Sequence, residues 1–172
     1  MKIKEFIVIF KKRVEKLYGT GSGGIICGIK DIHILKSFEH TYLINVAIFL
    51  TTKEYNKKYS KDIVIVPESG GRSPTDFILK DYSNRKVELA IEHENLRGRI
   101  FKNYDKLAKN KEAKERLLIC YIYDKDNFED KFKKIKIHKH KNNIKKKIHI
   151  LMAYKGEKRH LSYASDYKYR LI

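Results

Sequence analysis

The sequence predicts an α/β domain, a mixed central sheet flanked by helices and preceded by an extra N-terminal helix. Three observations carry that expectation. Apolar residues recur at three- and four-residue steps in some segments and alternate in others. From residue 37 onward these patterns follow one another as helix, three strands, helix, strand. The chain has 172 residues, 42% of them hydrophobic, enough for one domain with a proper core and few for two. No internal repeat or proline-rich linker divides it, so residues 1–172 read as one unit. Its core spans about 37–123 and its basic C-terminal extension about 124–172.

Ile3, Phe6, Ile7, Phe10, Val14 and Leu17 form the apolar stripe of a first helix, which stops at the glycine cluster of residues 19–24. That cluster lacks the Gly-Lys-Ser/Thr ending of a phosphate loop and reads as a connector. Ser37 would cap a second helix running to Tyr59, with Leu43, Val46, Ala47 and Leu50 on one face and Ile44, Ile48 and Phe49 widening it. Ile63 to Val66 is a short strand, broken by residues 67–71. Asp76–Asp81 and Lys86–Glu94 read as two strands joined by a turn over residues 82–85. The second alternates, with Val87, Leu89, Ile91 and His93 on one side and Glu88, Ala90, Glu92 and Glu94 on the other. A helix over Leu96–Arg116, a buried strand over Leu117–Tyr123, a short helix over Phe128–Ile135 and a strand over Ile148–Tyr154 complete the order.

Charge narrows the function. Lys and Arg number 39 against 21 Asp and Glu, a formal net of +18. Such an excess repels itself in a folded chain, and polyanions are its usual partner. Two cysteines, Cys27 and Cys120, are too few for a disulfide framework or a four-thiolate metal site. With no leader-like N-terminus and no apolar run near the roughly 20 residues of a membrane span, the expected setting is the cytoplasm, away from membrane.

The acidic residues point to chemistry. Glu92 and Glu94 are two apart on a strand, so both face one side of the sheet. An antiparallel hairpin would bring Asp76, which opens the preceding strand, beside them. The strand Val87–Ile91 looks central, and carboxylates on a covered face are costly unless a cation or a proton offsets them. Hard oxygen donors of this kind suit Mg²⁺ or Mn²⁺, and such an ion would polarise a phosphodiester and acidify a bound water.

At these residues the chain resembles the PD-(D/E)xK nuclease superfamily, which includes many restriction endonucleases. The family core is a helix, three strands, a helix and a strand, which the order over residues 37–123 matches. Pro74-Thr75-Asp76 stands where the Pro-Asp element belongs, with one residue inserted, and Glu92-His93-Glu94 where (D/E)xK belongs. Glu94 departs from the pattern by taking the lysine position, as in some restriction enzymes, where this residue serves as a base or an additional metal ligand. The resemblance implies a restriction-endonuclease-like fold with Asp76, Glu92 and Glu94 as catalytic residues. It implies Asp76 and Glu92 as metal ligands, joined by Glu39 from the first core helix and the His93 carbonyl. The His93 side chain, on the opposite face, is expected to be packed.

Basic residues complete the expectation. Arg97, Arg99, Lys102, Asn103 and Lys106 follow the motif, four of them forming a polar stripe that would hold a phosphate. Lys106 is the natural replacement for the positive charge Glu94 lacks. Lys133, Lys134, Lys136, Lys145 and Lys146 belong to the dense run 131–147, expected as an exposed loop or strand pair that contacts nucleic-acid backbone. His138 and His140 lack a third ligand for zinc, and Tyr163, Tyr167, Tyr169 and Arg170 read as terminal packing ahead of base stacking. The leading reading is an endonuclease acting on nucleic acid, DNA ahead of RNA, for which a two-fold homodimer would suit cutting both strands. Its alternatives are a nucleic-acid-binding module with a degenerate nuclease fold, and a scaffold whose charge serves solubility.

Overall fold

The computed structural model describes residues 1–18, 44–69, 75–94, 99–122, 127–154 and 167–172. Their elements are α1 (Ile3–Tyr18), α2 (Ile44–Tyr59), β1 (Ile63–Ser69), β2 (Thr75–Asp81), β3 (Val87–Glu94), α3 (Ile100–Lys109), β4 (Glu115–Ile122), α4 (Phe128–Lys141), β5 (His149–Tyr154) and β6 (Tyr167–Leu171). The strands form one sheet in chain order, β1-β2-β3-β4-β5-β6. β1, β2 and β3 pair antiparallel; β3, β4 and β5 are parallel; β6 returns antiparallel to β5. The α/β class and mixed sheet are as the sequence predicts.

Each face of the sheet is covered by its own helix pair. On one, Phe6, Phe10 and Val14 of α1 and Ile44, Ala47, Ile48 and Tyr55 of α2 pack with Leu79, Leu89, Ile91 and Ile119. On the other, Tyr104 and Leu107 of α3 and Phe132 and Ile135 of α4 pack with Ile78, Ala90, Leu118 and Ile150. β3 is thereby covered on both sides, and every residue in it but Glu94 is buried. The α2 face that turns inward is Ile44, Ala47, Ile48, Thr51, Thr52 and Tyr55. This is the expected stripe rotated, with Phe49 left exposed. Thr52 is admitted because its hydroxyl donates to the Ile48 carbonyl at 2.9 Å.

Four local expectations are corrected. β1 runs through Pro67 to Ser69 where a break was expected. An edge strand with one neighbour tolerates a residue without an N–H. The alternation of β3 fails at its start, where the register with β2 slips between Leu79 and Lys80. Val87 consequently joins the α3 and α4 side, while the buried Glu88 carboxylate binds the Met1 terminal amine and Lys114. Of the helix expected over 96–116, the described residues form α3 alone. It ends where Asn110 turns extended and the buried Arg116 side chain donates to the Leu107 and Asn110 carbonyls, leaving Glu115 and Arg116 to β4.

The lysine-rich stretch expected as loop or strands is instead helical to Lys141. Phe128, Phe132 and Ile135 at four- and three-residue steps are buried and anchor α4, and its lysines line the solvent side. Glu129 and Asp130 lie in its first turn and His138 to Lys141 in its last, the charge order that a helix dipole favours. The terminal segment packs as expected and does so as a strand, β6, which continues the sheet. Tyr169 stacks on His149 with centroids 5.8 Å apart, and Arg170 bonds Glu129 at 2.8 Å. Phe132→Ala should lower the unfolding free energy by about 3–5 kcal/mol. The exposed Lys134→Ala should change it by less than about 0.5 kcal/mol, both read by urea denaturation.

Candidate active site

The antiparallel pairing of β2 with β3 decides where the acidic residues lie. Phe77 pairs with Ile91, so Asp76, one residue before, comes beside the Glu92–Glu94 end of β3. Past that pair the backbone ladder between the two strands gives out, and the Asp76 side chain takes over. Its Oδ2 accepts the His93 N–H at 2.9 Å, the place a carbonyl would otherwise fill. His93 itself turns to the other face, stacking on Phe77 with centroids 5.9 Å apart and Nε2 3.9 Å from Asp76.

Glu92 points beneath α3 and is fully buried. Lys106 Nζ donates to its Oε2 at 2.8 Å, while Oε1 has no hydrogen-bond partner among the described residues. Glu94, on the same face, accepts a bond from the buried Asn103 Nδ2 at 3.2 Å. Burial pushes the Glu92 carboxyl up to about 7; Lys106 pulls it down and the Asp76 charge pushes it up. A carboxyl whose ionised form is destabilised and whose second oxygen is orphaned in a covered layer is the feature one expects where a cation or a proton is to be received.

No protein-family model matches the sequence. Comparison with curated proteins likewise returns no match, so the reading of this site rests on its own geometry.

The three carboxylates share one end of the sheet without closing on a point. Among the described residues no group of three or more His, Cys, Asp or Glu side chains is spaced to hold a metal. Each acid is held by a different neighbour: Asp76 by the His93 amide, Glu92 by Lys106, Glu94 by Asn103. Glu39 and Arg97 lie outside the described residues, as do Pro74, Cys27 and Tyr163. Arg99 and Lys102 are exposed, whereas Asn103 and Lys106, expected on the same solvent stripe, turn in toward the acids. Lys133, Lys134 and Lys136 are exposed on α4, and Lys145 and Lys146 follow its C-terminus. Cys120 is buried and free, as its apolar run predicts. Among the described residues no helix is long and apolar enough to cross a membrane.

Two polar networks had no local sequence signal, because residues far apart in the chain build them. His138 on α4 meets Asp105 on α3, with Nε2 2.7 Å from Oδ1. His149 faces the Tyr169 hydroxyl at 2.7 Å from Nδ1 and Glu115 Oε2 at 2.9 Å from Nε2. A carboxylate only accepts, so a neutral His149 donates from Nε2 and accepts the tyrosine O–H at Nδ1. That chain ties β4, β5 and β6 together at the end of the sheet away from Glu92 and Glu94.

The raised Glu92 carboxyl sets a sign for pH dependence. Folded, it keeps its proton to about pH 7; unfolded, it loses it near the usual 4.5. Between those values the folded chain binds the extra proton, so stability falls as pH rises through this window, and below it the penalty is absent. In EDTA, wild type should lose stability relative to Glu92→Gln from pH 5 to 8, by on the order of 3 kcal/mol at most. Parallel pH profiles of thermal unfolding for the two proteins would contradict this.

Proposed function

We propose that the chain is a metal-dependent nuclease that hydrolyses phosphodiester bonds in nucleic acid, DNA ahead of RNA, in the manner of the PD-(D/E)xK enzymes. One observation carries the reading. The buried Glu92 has one oxygen on Lys106 and the other without a partner, beside the partly exposed Asp76. The succession α2, β1, β2, β3, α3, β4 supports it as the element order that the family core has.

Mg²⁺ or Mn²⁺ is the kind of ion that these oxygen donors would take. Glu92 Oε1 is unpartnered, and Asp76 engages the His93 amide through Oδ2 alone among the described residues. Asp76 and Glu92 would hold the ion with these hard oxygen donors, and the His93 carbonyl between them would be a third. When bound, the ion supplies positive charge to the scissile phosphate and lowers the pKa of its water. Lys106 would take the part of the motif's lysine, reaching from the helix to the carboxylate instead of rising from β3. Its ammonium would steady the charge gathering on the phosphoryl oxygens. Glu94, steadied by Asn103, would orient the attacking water and accept its proton.

The test is cleavage of a DNA and RNA panel with Mg²⁺ or Mn²⁺ beside an EDTA lane. Metal-dependent cutting by wild type should vanish in Asp76→Ala, and Lys106→Gln should slow it by about 10²–10³-fold. Tight binding without cutting in either metal would favour a binding module in which the Lys106–Glu92 pair is structural. Neither binding nor cutting would leave the charge to solubility alone.

A further inference from the structure

The densest lysines do not surround the carboxylates. α4 runs back from the C-terminal end of β4, so residues 142–147 lie toward the N-terminal end of β5. There the C-terminal half of α3 and the segment after α4 enclose an open cleft of about 430 Å³. Lys109, Lys145 and Lys146 line it, with Asn142 and Asn143, over a floor of Ala108 and Ile144. The one acid in its wall, Asp105, is engaged by His138 at 2.7 Å. The three lysines are exposed and have no carboxylate partner among the described residues. Asn143, with φ 48°, makes the turn that brings Lys145 and Lys146 back against α3.

The ordinary role of such lysines at helix ends leaves part of the arrangement unexplained. Lys109 in the last turn of α3 complements the helix dipole. Lys145 and Lys146 stand beyond α4 and complete no helix, yet both line the cleft. The outward face of α3 carries the exposed Lys102 and Lys109, and Asp105 is the only carboxylate on that helix. His149 pairs in register with Leu117, which pairs with Ile91, so Glu92 lies level with Ile150 two strands away, and Lys146 is four residues before Ile150 in the chain. At ~4.8 Å per strand and ~3.3 Å per residue that is on the order of 15 Å. The phosphates of one duplex strand advance ~3.4 Å along the helix axis per nucleotide, so an interval of that length along the axis spans about four nucleotides.

We infer that this cleft is a second anchoring site for the nucleic-acid backbone, holding phosphates about four nucleotides from the position addressed by Glu92. The inference rests on the nucleic-acid part of the proposed function and is independent of hydrolysis. Backbone is the part of the polymer it grips, because ammonium groups over an aliphatic floor offer charge and no base-reading pattern.

The experiment is fluorescence anisotropy with a labelled duplex DNA of about 20 base pairs, in EDTA, across a salt series. The proteins are wild type, Lys145→Gln/Lys146→Gln, and Lys53→Gln/Lys57→Gln. The last pair removes the same charge from exposed positions of α2 on the other face of the sheet. The cleft variant should bind more weakly, and the slope of log K against log salt should shrink by about 1.8, two contacts at ~0.9 each. The α2 variant should keep the wild-type slope, and circular dichroism should be the same for all three. Equal losses in both variants would mean that net charge alone is felt, and would overturn the site. So would an unchanged slope in the cleft variant, or no binding by wild type. Absence of cutting with metal, alongside the expected slopes, would remove the nuclease reading and leave the cleft standing.

Discussion

A carboxylate in the middle of a covered sheet is the constraint around which the surrounding structure is arranged. Glu92 lies on a strand with layers on both faces, and its ionised form is disfavoured by burial. Lys106 offsets part of that cost at 2.8 Å, which requires α3 to lie with this flank over β3. Once α3 is so placed, Asn103 is brought to Glu94, and Ile100, Tyr104 and Leu107 form the helix side of the apolar layer. Replacing an ion pair of this type with apolar side chains is often neutral or stabilising. Stability is thus a poor explanation for it, and a charge that the fold tolerates at a cost points toward chemistry.

The same site explains why the β2–β3 ladder stops where it does. Asp76 uses its side chain to accept the His93 N–H, so the end of the hairpin is closed by a charged group and not by a carbonyl. Its carboxylate stays 31% exposed, while that of Glu92 is sealed. Two neighbouring acids in such different surroundings have different tasks open to them. The buried one responds most strongly to an arriving cation.

Much of this was legible in the sequence where a period of two or 3.6 ran unbroken. The α1 stripe from Ile3 to Val14, the β2–β3 hairpin and the facing pair Glu92 and Glu94 are of that kind. Lys106 was legible as a nearby cation, and helical spacing set it on the stripe with Arg99 and Lys102. Which flank turned inward depended on the acid beneath it. What the sequence hid was set by pairing at a distance. A register slip near Val87 exchanged its face with that of Glu88, and Pro67 was harmless only because β1 is an edge. The lysines of α4 masked a three-residue apolar anchor, and β6 acquired its strand from β5 and from His149, not from its own composition.

The strand order has a kinetic meaning. Each strand in this sheet is hydrogen-bonded to the strands next to it in the chain, with no strand skipped. Mixed sheets often need a strand inserted between two made earlier, which means closing long loops before any contact rewards them. Here the sheet is able to grow outward one neighbour at a time, with short connections from β1 to β2 and β2 to β3 and a single helix crossing from β3 to β4 and from β4 to β5. Such a topology lowers contact order and favours rapid folding with few mispaired intermediates. The first face is complete only when α1 and α2 both pack on it, so it is sealed by helices that the growing sheet does not need for its own pairing.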